Sequence, residues 1–235
     1  MYHIYVDSID SVQLFAKRIF HKINDDIIIV SGRSQTSGIG RCNRKWVSQD
    51  GGLYTTIIFK NIKLPQPLSL YVSFSICKFL RRKYNIDALI KWPNDLIVEN
   101  RKICGILIDT LWFESKEIIF AGIGINYNNV LPRKIEDNEV MSLSEILGHT
   151  IDFECCSEAR ALAVMISDLK NERGWLDEYR EKSYLTGRNI KALIDGKNEI
   201  AGRVAGISDT GALTLECGAE IISAQKIIDI ENAVI

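Results

Sequence analysis

Apolar residues follow two rhythms along this chain. A helical rhythm appears first at residues 10–20, where Val12, Phe15, Ala16, Ile19 and Phe20 fall on one face. It returns at 67–85, a long apolar stretch whose final basic cluster suits a helix C-terminus. A third helical region covers 155–182 and is interrupted or bent near Gly174. Ser-Leu-Ser-Glu at 142–145 has the spacing of a capping box and predicts a short helix from there. Strand-like runs lie between these segments: HIYVDS near the start, IIIVS at 27–31, GGLYTTIIF at 51–59, IDALIKW at 86–92 and KEIIFAGIGINYNN at 116–129. Residues 94–110 read as strand, polar turn at Glu99–Lys102, strand.

After Gly187 the texture changes. Short strands alternate with glycine-containing turns at a spacing of roughly ten residues, as in a small all-β barrel. The predicted fold class is therefore α+β. A mixed β-sheet with flanking helices fills residues 1–185, and a small β-barrel fills 186–235.

Composition narrows the function classes. At 235 residues with 46% hydrophobic and 25% charged residues, the chain has enough apolar material for a sizeable core. The formal net charge of −1 speaks against a purely electrostatic nucleic-acid binder. No apolar run approaches the ~20 residues that span a membrane. The N-terminus lacks the pattern of a secretory signal, so the expected location is cytoplasmic, with no membrane partner. Cys42, Cys77, Cys104, Cys155, Cys156 and Cys217 show no Cys-x-x-Cys spacing and read as reduced thiols. His3, His21 and His149 are scattered, so no metal held by His or Cys is expected.

Chemistry concentrates in four places. SGRSQTSGIGRCNRKW at 31–46 carries Gly32, Gly38 and Gly40, which allow close backbone approach, and Arg33, Arg41 and Arg44, whose planar forks suit phosphate or carboxylate. Trp46 supplies a flat face for stacking. The segment lacks the Gly-Lys-Ser/Thr ending of a P-loop and is followed by no helical pattern; read by itself it could equally be a solvated surface loop. KWPNDLIV at 91–98 puts Lys91 at the end of an apolar strand, either as a point charge for a ligand anion or as a lysine reaching solvent. Asn94 and Asp95 fit a turn as well as a site. RKICGILID at 101–109 and GIGIN at 122–126 each hold a glycine inside a strand, the mark of close approach or of a bulge.

Taken in order, QTSGIGRCNRKW, KWPNDLIV, RKICGILID and GIGIN resemble the biotin–protein ligase family, and GISDTGALTLE resembles the turn of that family's C-terminal SH3-like β-barrel. The resemblance covers nearly the whole chain. It implies the class II synthetase-like catalytic fold of biotin and lipoate ligases, and an ATP-dependent reaction. Biotin and ATP, with Mg2+, give biotinyl-5′-AMP; a lysine of a biotin carboxyl carrier domain of an acyl-CoA carboxylase then takes the biotin. By resemblance Lys91 and Arg41 are the catalytic residues, with Lys91 bridging the biotin carboxylate and the α-phosphate. Ser8, Gln35, Gly38, Gly40 and Gly105 join them in binding biotin. Arg41, Arg44, Trp46, Asn94, Lys102 and Asn126 would hold ATP, with Trp46 against the adenine. Relatives often dimerise, so a homodimer is a further possibility. The sequence starts at the catalytic segment, without the DNA-binding domain some members carry, and no specific DNA binding is expected. A lipoate or octanoate ligase or transferase of similar fold, and a non-catalytic biotin-binding relative, are the alternatives.

Three departures from the family pattern stand out. Ile39 occupies the place of an arginine, Asn43 that of a glycine, and Ile9 and Asp10 those of Thr and Asn in the first motif. Losing a charged hydrogen bond to a ligand typically costs ~1.5–3 kcal/mol. Weaker retention of biotin or biotinyl-AMP, with activity kept, is the expected result.

Overall fold

The computed structural model describes residues 1–135, 138–194, 198–218, 220–224 and 227–232. The first part of the chain builds a seven-stranded sheet in the order β1-β2-β3-β7-β6-β5-β4. Its strands are β1 (Tyr2–Ile9), β2 (Ile27–Gln35), β3 (Leu53–Phe59), β4 (Leu89–Lys91), β5 (Asp95–Val98), β6 (Arg101–Phe113) and β7 (Lys116–Ile125). β1 and β2 are parallel and the remaining neighbours antiparallel, so the sheet is mixed, as predicted.

Strand alternation sorts the side chains onto two faces. Ile29, Ile57, Phe59, Ile119 and Ala121 point to one face and join the main core with two helices, α2 (Leu68–Tyr84) and α4 (Cys155–Asp168). Ile28, Val30, Ile58, Ile118 and Phe120 point to the other face and form a smaller core with Val12, Ala16 and Phe20 of helix α1 (Val12–Ile19) and the turn after it. α1 covers only part of this second face. The remainder is where the site lies.

The helices end as their sequences dictate. Ser11 caps α1, accepting from the Leu14 amide at 3.4 Å. Arg81, Arg82 and Lys83 fill the last turn of α2, and Asn85 closes it in the left-handed conformation, φ 56°. Ser142 and Glu145 form the predicted capping box of α3 (Leu143–Leu147). The third helical region is broken at Gly174, φ 79°, after which α5 (Trp175–Glu181) starts.

A two-residue pairing, β8 (Lys134–Ile135) with β9 (Asn138–Glu139), lies outside the main sheet. The tail forms a five-stranded antiparallel sheet of β10 (Asn189–Ile194), β11 (Asn198–Ile207), β12 (Leu213–Cys217), β13 (Glu220–Ala224) and β14 (Ile227–Asn232), the expected small all-β unit. It is not detached. Ile190, Val204, Leu213 and Leu215 belong to the same apolar cluster as the main core. Trp92 Nε1 donates to the Gly211 carbonyl at 2.9 Å, and Arg180 Nε donates to the Ile207 carbonyl at 2.9 Å.

Candidate functional site

Two rows of residues cross the open face of the large sheet. One runs Tyr54–Gly124–Gly105–Asp95 and the other Thr56–Gly122–Leu107. Three of these positions are glycine, which leaves a floor of bare backbone. Pairing continues in register through Gly105 and Gly124, and the irregularity in this region falls between Leu96 and Ile97. The strand glycines are therefore sites of close approach and not bulges. What approaches is the chain itself: a Cβ on Gly124 would lie 2.5 Å from Trp46 Cε2, and one on Gly105 2.6 Å from Trp46 Cζ3. A Cβ on Gly122 would lie 2.6 Å from Gln13 Oε1.

Trp46 reaches the floor because residues 38–46 form a small hairpin over it. The Trp46 amide donates to the Gly38 carbonyl at 2.9 Å, Ile39 bridges to Lys45, and the Gly40 amide donates to the Arg44 carbonyl at 2.8 Å. The tip turns through Cys42 and Asn43, with φ 54° and 58°. Asn is among the few residues other than glycine that enter this left-handed region readily. That explains how Asn43 can stand where a glycine is expected.

Between this hairpin, the start of α1 and the glycine floor lies a cavity of about 160 Å³. One end is cationic. Arg41, Arg44, Lys45 and Lys102 line it, and among the described residues Asp95 is the one carboxylate there. Lys102 Nζ is 2.8 Å from Asp95 Oδ2 and 5.0 Å from the Trp46 ring centroid. Arg41 Nη1 donates to Asn94 Oδ1 at 3.0 Å, and Asn94 Nδ2 donates to the Ile106 carbonyl at 2.8 Å, so Asn94 fixes the guanidinium. Trp46 Nε1 and Asp95 Oδ1 are buried with no hydrogen-bond partner among the described residues, a cost that a bound polar group would relieve. Asn126, 3% exposed, is held by the Met141 carbonyl and the Asn129 amide, each at 3.2 Å. The other end is neutral, formed by Ser11, Gln13 and Gln35. Gln35 Oε1 accepts from the Val12 amide at 2.8 Å and its Nε2 donates to Ser48 Oγ at 2.7 Å, which ties α1 to the end of the hairpin.

Of the site residues expected from the sequence, Gln35, Gly40, Arg41 and Arg44 come together here. Trp46, Asn94, Lys102, Gly105 and Asn126 join them. Three do not line the cavity. Ser8 is exposed on the edge strand β1, opposite Ser34, and the serine at the cavity is Ser11. Gly38 packs inside the hairpin, where a Cβ would come within 2.5 Å of the Trp46 carbonyl oxygen. Lys91 sits on the edge strand β4 opposite Asp95, two strands from the nearest floor glycine, Gly105. The lysines at the cationic end are Lys45 and Lys102. Gln13, not singled out from the sequence, and Asp95, which the sequence left between turn and site, complete the wall. A glutamine at a buried helix position was the available signal for the first. Cys42 also lines the cavity, and no histidine does. Among the described residues no cluster of three His, Cys, Asp or Glu could hold a metal.

Residues 5–126 match the Biotin/lipoate A/B protein ligase family. The chain is 30% identical over 230 residues to the bifunctional ligase/repressor BirA of Bacillus subtilis, covering 91% of this chain and 69% of that protein. It is 22% identical to the biotin–[acetyl-CoA-carboxylase] ligase of Mycobacterium tuberculosis, over 86% of this chain and 79% of that one. Its fold is similar to that of the Aquifex aeolicus biotin protein ligase solved with biotin and ATP, with a TM-score of 0.78, 24% identity and 99% of both chains covered. The matched span takes in the strands, the hairpin and the glycine floor that make the cavity, and the chain belongs to the biotin/lipoate A/B protein ligase family.

Proposed function

We propose that this protein is an ATP-dependent biotin–protein ligase. The observation that carries the reading is the cavity itself: four cations gathered over a backbone floor at one end, neutral hydrogen-bonding groups at the other. A carboxylate and a triphosphate repel each other, and such a cluster neutralises both while holding them in place. A carboxylate oxygen of biotin attacks the α-phosphorus of ATP, and pyrophosphate leaves. The amine of a carrier lysine then attacks the acyl carbon of biotinyl-5′-AMP, the proton is lost, and AMP leaves with the bonding pair. No protein nucleophile is required.

Lys102 is the residue we assign to bridge carboxylate and α-phosphate, in place of Lys91, because it lies at the cationic end beside Trp46. Arg41, set by Asn94, takes phosphate oxygens together with Arg44. Trp46 receives the adenine, with Asn126 beside the nucleotide. Asp95 Oδ1, buried with no hydrogen-bond partner among the described residues, would be available to the Mg2+ that accompanies ATP, an ion that relies mainly on phosphates and water. In this reading residues 1–185 are the catalytic unit and 186–235 the second unit. The acceptor is a biotin carboxyl carrier domain, a choice supported by the name of the mycobacterial relative. The net charge of −1 favours action without DNA.

The test is pyrophosphate release from ATP by the purified protein with biotin, lipoate or octanoate, followed by labelling of a carrier domain. Biotin-dependent release and labelling are expected. Release with lipoate or octanoate alone, or no labelling, would overturn the reading.

A further inference from the structure

Strand β7 ends at Ile125, and Asn126, the next residue, lines the cavity. The three residues after it are not part of the wall. Tyr127 Oη donates to Glu158 Oε2 at 3.0 Å. The Asn128 amide is held twice by the backbone of Ile151, at 2.8 and 2.9 Å. Asn129 is 1% exposed, and its Nδ2 donates to Asn126 Oδ1 at 3.2 Å. The polarity of these amides is forced. The Met141 carbonyl only accepts, so the Asn126 atom facing it is Nδ2. Asn126 Oδ1 therefore faces Asn129, which must offer its own Nδ2. Asn129 Oδ1 is then left buried without a partner among the described residues. An unpaired buried acceptor lowers stability, so holding the fold together does not account for an amide at this position. What the amide does achieve is visible at Asn126. A side-chain amide has two N–H groups and two lone pairs on oxygen. Met141 and Asn129 take one of each, and one of each is left for the cavity.

We infer that Asn129 is a positioning residue that acts through Asn126: it fixes which end of the Asn126 amide donates and which accepts toward the nucleotide. The inference rests on the ligase reading above, in which Asn126 lies beside the nucleotide. With Asn129 in place, the Asn126 amide cannot turn over. Doing so would set its oxygen against the Met141 carbonyl and its NH2 against the NH2 of Asn129. Without Asn129, one bond of 3.2 Å to Met141 is all that restrains the side chain. The same frame carries Lys102. The Met141 amide donates to the Lys102 carbonyl at 3.1 Å, and the Asn126 backbone amide donates to the Ile103 carbonyl at 2.9 Å. The amide beside the nucleotide and the lysine assigned to the α-phosphate are thus set on one piece of backbone, and Asn129 removes the remaining side-chain freedom. A donor and acceptor held in place beforehand need no rearrangement when the nucleotide enters.

The test compares Asn129→Leu with the unchanged protein in biotin-dependent pyrophosphate release. Leucine fills a similar volume, removes the unpaired acceptor and takes away the donor to Asn126. The ATP KM should rise about two- to tenfold, the size of one neutral hydrogen bond, while the biotin KM holds. An unchanged ATP KM would overturn the inference. Equal rises in both KM values would do the same, because a purely structural role weakens both substrates together. A double-mutant cycle with Asn126→Ala checks the route. Asn129→Leu should add nothing to the loss of ATP affinity already caused by Asn126→Ala, whereas losses that add in full would count against the inference. If Asn129→Leu does not fold, Asn129→Ser, too short to reach Asn126, is read in the same way. Failure of the unchanged protein to activate biotin at all would instead sink the ligase reading.

Discussion

The glycine floor makes a sharp experiment possible. In Gly124→Ala the new Cβ would sit 2.5 Å from Trp46 Cε2, where ordinary contact begins at 3.4 Å. Something must move, and the strand cannot, because β7 is paired on both sides. Two outcomes are open to the ring. If it stays, overpacking costs about 1–3 kcal/mol, which in a chain of this size lowers Tm by roughly 2–12 °C. If it lifts into the cavity, Tm changes less, and the indole blocks the space beside Lys102 meant for the nucleotide. The ATP KM should then rise about tenfold, with a smaller change in the biotin KM. Gly40→Ala is the control: it also lines the cavity, but its Cβ would meet nothing closer than the Arg44 carbonyl at 3.6 Å, and its φ of −114° suits alanine. Thermal melts and initial rates of pyrophosphate release read both quantities. A Gly124→Ala protein matching Gly40→Ala in Tm and in ATP KM would refute the packing of Trp46 on the floor.

Further outcomes follow from other parts of the cavity and its surroundings. Ile39 lines the cavity, so Ile39→Arg should tighten biotin by about tenfold, from the ~1.5–3 kcal/mol of a charged hydrogen bond; no gain in biotin KM would remove this account of the departure. Lys102→Ala should slow formation of biotinyl-AMP by about a hundredfold or more and Lys91→Ala by much less, and the reverse order in single-turnover assays would restore Lys91 to the bridging role. Cys42 is exposed at the tip of the hairpin, whereas burial pushes the Cys77 thiol up to about 11 and the Cys155 thiol up to about 12. Iodoacetamide at neutral pH should therefore modify Cys42 first, and biotin with ATP should slow it; mass-spectrometric mapping that finds Cys77 or Cys155 first would contradict this. Burial, helped by the charge of Arg160, holds the His3 imidazole below its ordinary value of 6.5. The unfolded chain then binds the proton more readily, so stability is complete above that value and declines as pH falls through it. Denaturant melts should show this slope flattened in His3→Gln, and an identical slope would exclude His3 as its source.

Much of the fold is legible in the sequence because it is local. The apolar spacing at 10–20, the capping box at Ser142 and Glu145, and the break at Gly174 each carry their own cause. The cationic end of the site was legible for the same reason, since Arg41, Arg44 and Trp46 lie within one hairpin. The placement of Lys102 in the cavity wall and of Lys91 outside it was not. It depends on register across three strands and on an irregularity between Leu96 and Ile97, and no local pattern encodes that. The strand glycines posed a similar problem. Their partner, Trp46, lies far away in sequence, so bulge and close approach looked alike until the sheet was assembled. Gln13 does not stand out in the sequence because its neighbours Val12 and Ala16 form an ordinary buried face. A buried amide there looks unremarkable unless Asp109 and Thr56 are seen on either side of it.

The bond from Trp92 to the Gly211 carbonyl bears on how far this protein can be reduced. Trp92 stands in the turn that carries Asn94 and Asp95, and Gly211, φ 79°, fits only because it has no Cβ, which would fall 2.3 Å from Pro67 Cγ. A minimal labelling tag cut from the first sheet alone would lose the brace behind the very turn that aims Arg41. Anyone wishing to shrink this enzyme, or to graft its tail from a relative, inherits Pro67, Trp92 and Gly211 as one inseparable set.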